Sequence, residues 1–495
     1  MTTLQHVLDD LLRSLPPATR HTLLEWPPDV FAVTAAALDA SGAYVRVLDL
    51  LNRPAGTSTH GWPAKAERIG AAWCKHVVDR TAAMPPEVPA WWKTILQLAK
   101  TRLDDIWRSD ALCEALICLC CTADEASVGA GVGRIERRAG APFRYRPDVF
   151  VDLAEVELAK SRFRTLARHV PPGRVAVLPK QHTPQRGLTL RSLSHNLSLC
   201  AAPDVDARWI GYESHVRDNL NVLVIPWPRK VEARHFSVRR DTGLDEAYRY
   251  FDYHRPSDSK LRQRIDKALR ATLEHADRID LVVFPELALN VDEYLVIEQM
   301  CTEIGAVLVC GVSIPGVVSD PINASVVQAA PLYHRTDPKK MLHRARVTQA
   351  TASVLICEDL ARQDPIGKLV RSVGPNLLIA LLMDGPQLEG RWASKYASVL
   401  ADDPGCSVLS MTSLGMSERS RAPDPSKSRP RVVALWRDAH SGFRELELPE
   451  GHDVGLLTLV NQLGREFSAD GRADGGLASY PVFADFLPVE ARLDA

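Results

Sequence analysis

The chain has 495 residues, of which 46% are hydrophobic and 24% are charged, and its formal net charge is −1. These proportions are ordinary for a globular protein and exclude a general attraction to nucleic acid or to a membrane surface, so either role requires a local patch. A chain of this length is too long for one simple hydrophobic core, which predicts at least two domains.

The sequence shows no pattern typical of export or membrane insertion. Its first residues, MTTLQHVLDDLLRSLPP, have acidic side chains early and no long apolar core, unlike a secretory signal. The longest apolar runs, such as NLLIALLM, are too short to span a bilayer. We therefore expect a cytoplasmic protein with reduced cysteines. None of the ten cysteines stands with histidines at zinc-finger spacing.

The first 170 residues are expected to form a mainly helical domain. Segments such as AERIGAAWCKHVVDRTAA and PAWWKTILQLAKTRLDDIW carry apolar residues three and four positions apart. Proline-rich stretches separate these segments, as expected for connections between helices. A basic connecting segment is expected over 171–218.

The pattern changes at residue 219, and we expect an α/β domain over 219–495. Short apolar runs rich in β-branched residues predict buried strands. These runs are NVLVIPWP, IDLVVFPE, AVLVCGVS, ASVVQAA, SVLICED, LLIALLM, CSVLSMTS and VVALWRD. Apolar residues at helical spacing predict one helix on each side of IDLVVFPE. They are Leu261, Ile265, Leu269 and Leu273 before it, and Leu295, Ile297, Met300 and Ile304 after it.

Three chemically reactive residue types follow predicted strands. Glu286 closes IDLVVFPE, Cys357 closes SVLICED, and the pair Lys339-Lys340 lies between them in PKKML. A carboxylate that accepts the thiol proton, a lysine that holds oxyanion charge and a cysteine that forms a thioester suffice for acyl transfer. The residues after Cys357 are expected to begin a helix, whose first N–H groups would complete an oxyanion hole.

Taken singly, each feature has a simpler structural explanation. A glutamate after proline is usually part of a turn, paired lysines usually lie in a solvated loop, and cysteines are commonly small buried hydrophobes. The order Glu, Lys, Cys, with each residue at the end of a strand, is much more specific.

The C-terminal half resembles the nitrilase, or carbon–nitrogen hydrolase, superfamily over about residues 219–465. The motifs that carry the resemblance are IDLVVFPELAL, INASVV and VLICEDL, followed in order by LLIALLMDG, RWASKYASVLA and CSVLSMTSLG. The predicted fold class is therefore α/β, a nitrilase-like α-β-β-α sandwich preceded by a mainly helical N-terminal region. The resemblance also implies hydrolysis of a non-peptide C–N bond in a small amide, nitrile or carbamoyl compound.

The resemblance assigns a role to each motif residue. Glu286 resembles the general base, Cys357 the nucleophile and Lys339 the lysine that stabilises the tetrahedral intermediate, with Lys340 as the alternative lysine. The backbone N–H of Glu358 is the expected second oxyanion donor. Met383 and Asp384 lie where the family shapes its substrate pocket. No metal or organic cofactor is implied, and a homo-oligomer, a two-fold dimer or larger, is expected.

Two departures from the family pattern concern the lysine region. The spacing between Lys339 and Cys357 is short for the family. The segment RARVTQATA also lacks the second glutamate that many amidase members place between the lysine and the cysteine. Both departures bear on the lysine assignment more than on the base and the nucleophile.

Basic residues in and beside the connecting segment suggest a second role. Residues 158–203 contain no Asp or Glu. A solvated surface is the more ordinary explanation, but backbone-phosphate or partner contact is the alternative. The candidate contact residues are Arg162, Arg164, Arg168, Arg186, Arg191, Arg239 and Arg240.

Two N-terminal segments carry a second resemblance. WPPDVFAVTAAALDASGAY and LPKQHTPQRGLTLRSLSHNLSL resemble segments that flank nitrilase-like domains in bacterial antiviral operons, some of which encode a reverse transcriptase. The alternative function is thus a nitrilase-like effector or scaffold of a defence complex with a protein or nucleic-acid partner. An inactive pseudo-enzyme is expected to have lost part of the Glu–Lys–Cys set, whereas all three residue types are present.

Overall fold

The computed structural model describes most of the chain. The described residues are 2–52, 54, 56–57, 59–130, 150, 153–154, 156–157, 165–171, 173–200, 219–238, 251–255, 258–313, 346–347, 350–419, 431–474 and 478–493.

The N-terminal part is built from helices packed around one apolar core. They are α1 (Leu4–Leu11), α2 (Pro27–Ser41), α3 (Val47–Leu51), α4 (Trp62–Val78), α5 (Glu87–Gln97) and α6 (Asp110–Ala126), with 3₁₀ turns at Pro17–Glu25, Ala43–Arg46 and Leu103–Arg108. Helices α2 and α6 are buried around most of their circumference, so they form the centre of this region.

Local sequence accounts for where the two central helices begin and end. Prolines occupy the first two positions of α2, where their missing N–H groups cost nothing, and Gly42 ends that helix with a φ of +67°. Helix α6 begins after Ser109, whose hydroxyl oxygen accepts the backbone N–H of Leu112.

The predicted connecting segment is a packed element where the structure describes it. Strand β1 (Ala176–Pro179) pairs antiparallel with β2 (Leu197–Cys200). A 3₁₀ turn at Leu190–Leu193 lies between them. The side chains of Lys180, His182 and Thr183 are buried, so this part of the segment belongs to the protein interior.

The remaining elements alternate between strands and helices. The strands are β3 (Asn219–Val224), β4 (Phe236–Val238), β5 (Phe251–Tyr253), β6 (Leu281–Val283), β7 (Leu289–Asn290), β8 (Val307–Val309), β9 (Val312–Ser313), β10 (Arg346–Val347), β11 (Ala350–Ile356), β12 (Leu377–Leu381), β13 (Ser407–Met411), β14 (Val432–Asp438), β15 (Gly442–Glu447), β16 (Val454–Gly464) and β17 (Ala478–Val489).

The helices of this part lie between the strands. They are α7 (Leu261–Leu273), α8 (Val291–Glu303), α9 (Lys368–Val373), α10 (Trp392–Asp402) and α11 (Leu414–Arg419). Shorter turns occur at Ala233–His235, Cys357–Leu360 and Gln363–Gly367.

Two sheets contain most of these strands. One has the order β10-β11-β12-β13-β14-β15, and the other has the order β17-β16-β3-β6-β8. Strands β11, β12 and β13 are parallel to one another, as are β3, β6 and β8. Their carboxyl ends therefore collect at one edge of each sheet, which is where open α/β sheets place their functional side chains.

The side chains of these strands alternate between two apolar layers. Val222 and Val224 share a cluster with Ile379 and Leu409 of the other sheet, so the two sheets pack face to face. Leu223 on the opposite face shares a cluster with residues of α7 and α8, and a third cluster joins the six-stranded sheet to α10. Helices thus cover the outer face of each sheet.

The connection between β16 and β17 enters the N-terminal part of the molecule. Its Arg472 side chain is fully buried and bonds Asp124 and Glu125 at the end of α6, while Trp62 of α4 donates to Asp470 of the same connection. This cluster of buried charges joins the helical region to the sheets.

The predicted runs and the observed strands agree over most of the sheet region. Seven of the eight runs contain a described strand or strands, namely β3, β6, β8 with β9, β11, β12, β13 and β14, while ASVVQAA lies outside the described residues. Strands β15, β16 and β17 were not predicted. Polar residues interrupt their apolar runs, namely Arg444 and Glu445 in β15, Thr458 and Asn461 in β16, and Tyr480 and Asp485 in β17. Leu295 was assigned to the apolar face of α8, but it is 49% exposed.

Among the described residues, no single helix is long and apolar enough to cross a membrane. The helices Pro27–Ser41 and Ala43–Leu51 are long and apolar enough only when they are taken together, and the chain bends by 100° between them.

Candidate active site

The turn that contains Glu286 follows β6, and the backbone at Gly311 packs directly against it. After Pro285 the chain reverses at Leu287, which has a φ of +53°. Gly311, between β8 and β9, donates its N–H to the Pro285 carbonyl at 3.1 Å. A Cβ atom on Gly311 would lie 2.5 Å from the Leu287 nitrogen and 2.6 Å from the Glu286 Cα. Glycine at 311 therefore allows the turn that positions Glu286.

The cysteine follows β11 in a backbone conformation that side chains rarely adopt. Cys357 has a φ of +45° and begins the 3₁₀ turn Cys357–Leu360. Such strained positions cluster at functional sites, where the surrounding structure holds them in place. The other nine cysteines are buried, whereas Cys357 is only partly covered.

The structure brings the predicted base and nucleophile together. The Cys357 and Glu286 side chains lie close enough for each to shift the pKa of the other, and the Met383 backbone N–H acts to lower the pKa of both groups. Met383 follows β12, the neighbour of β11 in the six-stranded sheet. Within the part of the chain that the structure describes, the second carboxylate oxygen, Glu286 Oε2, is buried without a hydrogen-bond partner.

Burial controls the protonation of this pair. Burial raises the pKa of Glu286 to about 7, while the hydrogen bonds from Cys357 and Met383 act in the opposite direction. Burial, followed by the negative charge of Glu286, raises the pKa of the Cys357 thiol well above its usual value. The pair thus retains the thiol proton at neutral pH, and attack requires proton transfer to Glu286 or a nearby positive charge.

The predicted lysines cannot be placed relative to this pair. Lys339 and Lys340 lie outside the described residues, so their roles stay predictions. The same holds for Arg162, Arg164, Arg239 and Arg240.

The segment predicted to shape the pocket contains one residue with a clear structural role. Asp384 accepts hydrogen bonds from Arg391 at 2.7 Å and from the Trp392 indole at 2.8 Å, so its carboxylate orients the start of α10. Met383 contributes its backbone N–H to the reactive pair. Contact between either side chain and a substrate stays a prediction.

Glu358, the predicted oxyanion donor, directly follows Cys357 in the 3₁₀ turn, and its side chain is 78% exposed. The next residue, Asp359, was not predicted as part of the site. It is buried, and burial raises the pKa of its carboxyl, while the charge of Arg362 opposes that effect.

Gly311 and the Met383 backbone were missed as contributors to the site. A glycine directly after an apolar strand, as in VLVCGVS, is a general signal of close backbone approach, but it does not identify the neighbour. A backbone N–H carries no sequence signal, because every residue except proline has one.

The described basic residues have acidic partners within the chain. Arg168 packs over the Trp26 ring at 3.6 Å and bonds Glu157 at 3.1 Å. Arg186 and Arg191 bond Asp402 and Asp403, at 2.9 and 2.6 Å, at the end of α10. These pairs show how the basic segment is held against the sheet region. Nucleic-acid, partner-protein and oligomer contacts stay predictions.

No family model matches the chain, and no curated protein matches it. Several solved structures are similar to part of the chain. One is Saccharomyces cerevisiae Nit3, a member of branch 10 of the nitrilase superfamily, with 14% identity and a TM-score of 0.31. The aligned region covers 50% of this chain and 93% of Nit3. A carbon–nitrogen hydrolase from Helicobacter pylori has 12% identity, coverage of 46% and 85%, and a TM-score of 0.27.

XC1258 from Xanthomonas campestris, a CN-hydrolase superfamily protein with an arsenic adduct in its active site, has 13% identity, coverage of 48% and 90%, and a TM-score of 0.29. The structural neighbours of about half the chain therefore include nitrilase-superfamily members, at low similarity.

Proposed function

We propose that this chain hydrolyses a non-peptide C–N bond of a small amide, nitrile or carbamoyl compound through a thioester on Cys357. The observation that carries the proposal is the juxtaposition of the Cys357 thiol and the buried Glu286 carboxylate. A nucleophile beside a base whose pKa lies near the working pH is the arrangement that covalent acyl transfer requires.

Acylation of an amide begins with transfer of the thiol proton to Glu286. The Cys357 sulfur then forms a bond to the carbonyl carbon, and the carbonyl oxygen becomes an oxyanion. Collapse of this tetrahedral intermediate breaks the C–N bond. Glu286 returns its proton to the leaving nitrogen, so that ammonia or an amine departs and a thioester remains.

Hydrolysis of the thioester uses the same base a second time. Glu286 takes a proton from a water molecule, and the resulting hydroxide attacks the thioester carbonyl. The second tetrahedral intermediate expels the Cys357 sulfur, which regains a proton from Glu286, and a carboxylic acid is released. A base with a pKa near 7 can act in both proton directions at neutral pH.

Lys339, with Lys340 as the alternative, is proposed to hold the oxyanion charge together with the Glu358 backbone N–H. This assignment rests on the motif order and on the electrostatics of the described pair. Two buried acids in contact favour a neutral thiol, so a cation at the site would lower the barrier to thiolate formation.

The layered arrangement of sheets and helices is proposed to be a nitrilase-like α-β-β-α sandwich. Support comes from the apolar cluster shared by the two sheets and from the helices that cover their outer faces.

Alkylation of Cys357 tests the reactive pair without knowledge of the substrate. Native protein is treated with iodoacetamide from pH 5 to 9, and each cysteine is quantified by peptide mapping. Cys357 is expected to label much faster than the nine buried cysteines, with a rate that rises through the pKa of Glu286 near 7.

Two variants assign the roles of the partners. Glu286→Gln is expected to slow Cys357 labelling about 100-fold or more, the usual range for loss of a general base, and Lys339→Ala to slow it as well. Labelling of Cys357 no faster than that of the buried cysteines, at every pH, would contradict the proposal. Fast labelling of Cys357 that slows in Glu286→Gln would justify an assay of ammonia release from amides and nitriles.

A further inference from the structure

The turn after β12 lies beside the turn that carries Cys357. Ile356 pairs with Leu381 in the parallel register of β11 and β12, so Cys357 and Met383 follow the two strand ends by one and two residues. The Met383 N–H acts on both Glu286 and Cys357. A backbone N–H cannot be reoriented by a change of rotamer, so its direction depends on the groups that hold the turn.

The side chain of Asp384, the next residue, fixes this turn and connects it to α10. Its Oδ1 atom accepts the backbone N–H of Gly385 and the Nη2 atom of Arg391, each at 2.7 Å. Its Oδ2 atom accepts the Trp392 indole N–H at 2.8 Å. Donors of the chain itself therefore occupy both carboxylate oxygens, which favours a role in holding the turn over direct contact with a substrate.

A second side chain holds the same turn from the neighbouring strand. Thr412, directly after β13, is fully buried, and its hydroxyl donates to the Asp384 carbonyl. Its own backbone N–H donates to the Val433 carbonyl of β14 at 2.8 Å. The main chain of Asp384 is thus attached to the sheet and its side chain to α10. Supporting hydrogen bonds of this kind hold groups at a reactive site in their working geometry.

Helix α10 also supports the turn that carries Cys357. Leu360, the last residue of that turn, shares an apolar cluster with Ala393 and Ala397 of α10, and Trp392 packs against the same cluster. Trp392 thus packs on the Cys357 side of the site and donates its indole N–H on the Met383 side. One helix therefore fixes the two turns relative to each other.

We propose that Asp384 and Thr412 are positioning residues, which hold the turn after β12 so that the Met383 N–H points at the Glu286–Cys357 pair. Each acts through the Met383 backbone rather than on the reacting atoms. Transfer of the thiol proton moves the negative charge from Glu286 to Cys357, and a donor held between them stabilises that charge before and after transfer. This assignment rests on the proposed function of the pair.

The pKa of Glu286 reports on the Met383 N–H without a substrate and without a reactive thiol. It is measured by carbon NMR of protein labelled at the glutamate carboxyl groups, where the Glu286 resonance is the one absent from Glu286→Gln. Loss of a hydrogen bond to the charged carboxylate should raise this pKa, about 7 in the unmodified chain, by about one pH unit or more. The charges of Asp359 and Glu358 also act on Glu286, and every variant below retains them.

Asp384→Asn and Thr412→Val are both expected to raise the pKa of Glu286, because each displaces the Met383 N–H. The direction of the shift separates positioning from charge. Removal of a negative charge would by itself lower the pKa of a nearby carboxyl, and Thr412→Val changes no charge at all. Thr412→Ser keeps the hydroxyl and should retain the pKa of the unmodified chain.

Asp402→Asn is the matched control, because it removes a carboxylate at the other end of the same helix, where Asp402 bonds Arg186 at 2.9 Å. It should leave the Glu286 titration unchanged. An equal rise in Asp402→Asn would overturn the inference, because any loosening of α10 would then have the same effect.

An unchanged or lowered pKa of Glu286 in Thr412→Val would also overturn the inference, and Asp384 and Thr412 would then serve the fold alone. Thr412→Val and Thr412→Ser decide the matter by themselves if Asp384→Asn does not fold. The proposed hydrolase chemistry is judged separately, by the Glu286 dependence of Cys357 alkylation. Each proposal can therefore fail alone, since the NMR titration needs no reaction at Cys357.

Discussion

Two buried clusters of ionisable side chains differ in how completely their hydrogen-bonding capacity is used. Around Arg472, Nε bonds Asp470, Nη1 bonds Asp124 and Glu125, and Nη2 bonds the Leu193 carbonyl, all between 2.8 and 3.1 Å. At the candidate active site, by contrast, Glu286 Oε2 is buried with no partner among the described residues.

The difference indicates what each cluster is for. A buried arginine whose nitrogens all have acceptors is held in one arrangement, and it fixes the helical region to the β16–β17 connection. A buried carboxylate with a spare oxygen and a pKa near 7 can gain or lose a proton with little change in structure. The satisfied cluster is therefore expected to contribute stability, whereas the unsatisfied one costs stability and suits the proton transfers of the proposed function.

The largest expected effect on stability comes from breaking the satisfied cluster. Arg472→Met leaves Asp470, Asp124 and Glu125 buried without their cation, so we expect a loss of about 3–5 kcal/mol in the free energy of unfolding. Urea denaturation followed by fluorescence measures this change. The control is Arg13→Met, which breaks an ion pair of 2.6 Å whose arginine is 65% exposed, and should cost less than about 1 kcal/mol. Equal effects of the two substitutions would remove the distinction between the clusters.

Glu286→Gln should change stability in the opposite direction. Burial raises the pKa of Glu286 from 4.5 to about 7, so the folded state binds a proton there that the unfolded state has already released. The associated stability is present below pH 4.5 and is lost as the pH rises through 7, which amounts to about 3 kcal/mol.

The glutamine variant should accordingly be more stable than the unmodified chain by up to about 3 kcal/mol at pH 8, and similar to it at pH 4. Urea denaturation at both pH values, with exposed Glu490→Gln as the control, provides the measurement. A destabilised glutamine variant at pH 8 would mean that the Glu286 carboxylate is stabilised in its charged form.

Gly311→Ala tests the geometry of the Glu286 site separately from its charge, because it displaces the turn that contains Glu286 without changing any ionisable group. The added methyl group meets backbone atoms at 2.5–2.8 Å, so we expect a loss of about 1–3 kcal/mol and slower alkylation of Cys357. Gly390→Ala is the control, since no atom lies within 4 Å of a Cβ there. Unchanged alkylation in Gly311→Ala would show that the position of Glu286 tolerates movement of this turn.

The smallest effect is expected at the surface pair of the basic segment. Arg186 is 75% exposed and bonds Asp402, so Arg186→Ala should reduce stability by less than about 1 kcal/mol, and by less still at high salt. Thermal denaturation at two salt concentrations measures this effect. A salt-independent loss above that value would place the pair in the same class as the Arg472 cluster.

Local sequence was sufficient to predict the parallel strands of the two sheets and the strand-end positions of Glu286 and Cys357. The runs around β3, β6, β12 and β13 are short and apolar, as is typical of parallel strands that are buried on both faces. Glu286 and Cys357 each stand just after such a run, so their strand-end location is a local property.

Contacts between groups that are distant in sequence could not be predicted from local patterns. The contact between Glu286 and Cys357, the Met383 N–H that joins them and the close approach of Gly311 depend on how two sheets pack, and no local pattern encodes that packing. The same holds for the Arg472 cluster and for the acidic partners of Arg186 and Arg191. Secondary structure follows from neighbouring residues, whereas burial and pKa follow from residues that are brought together only when the chain folds.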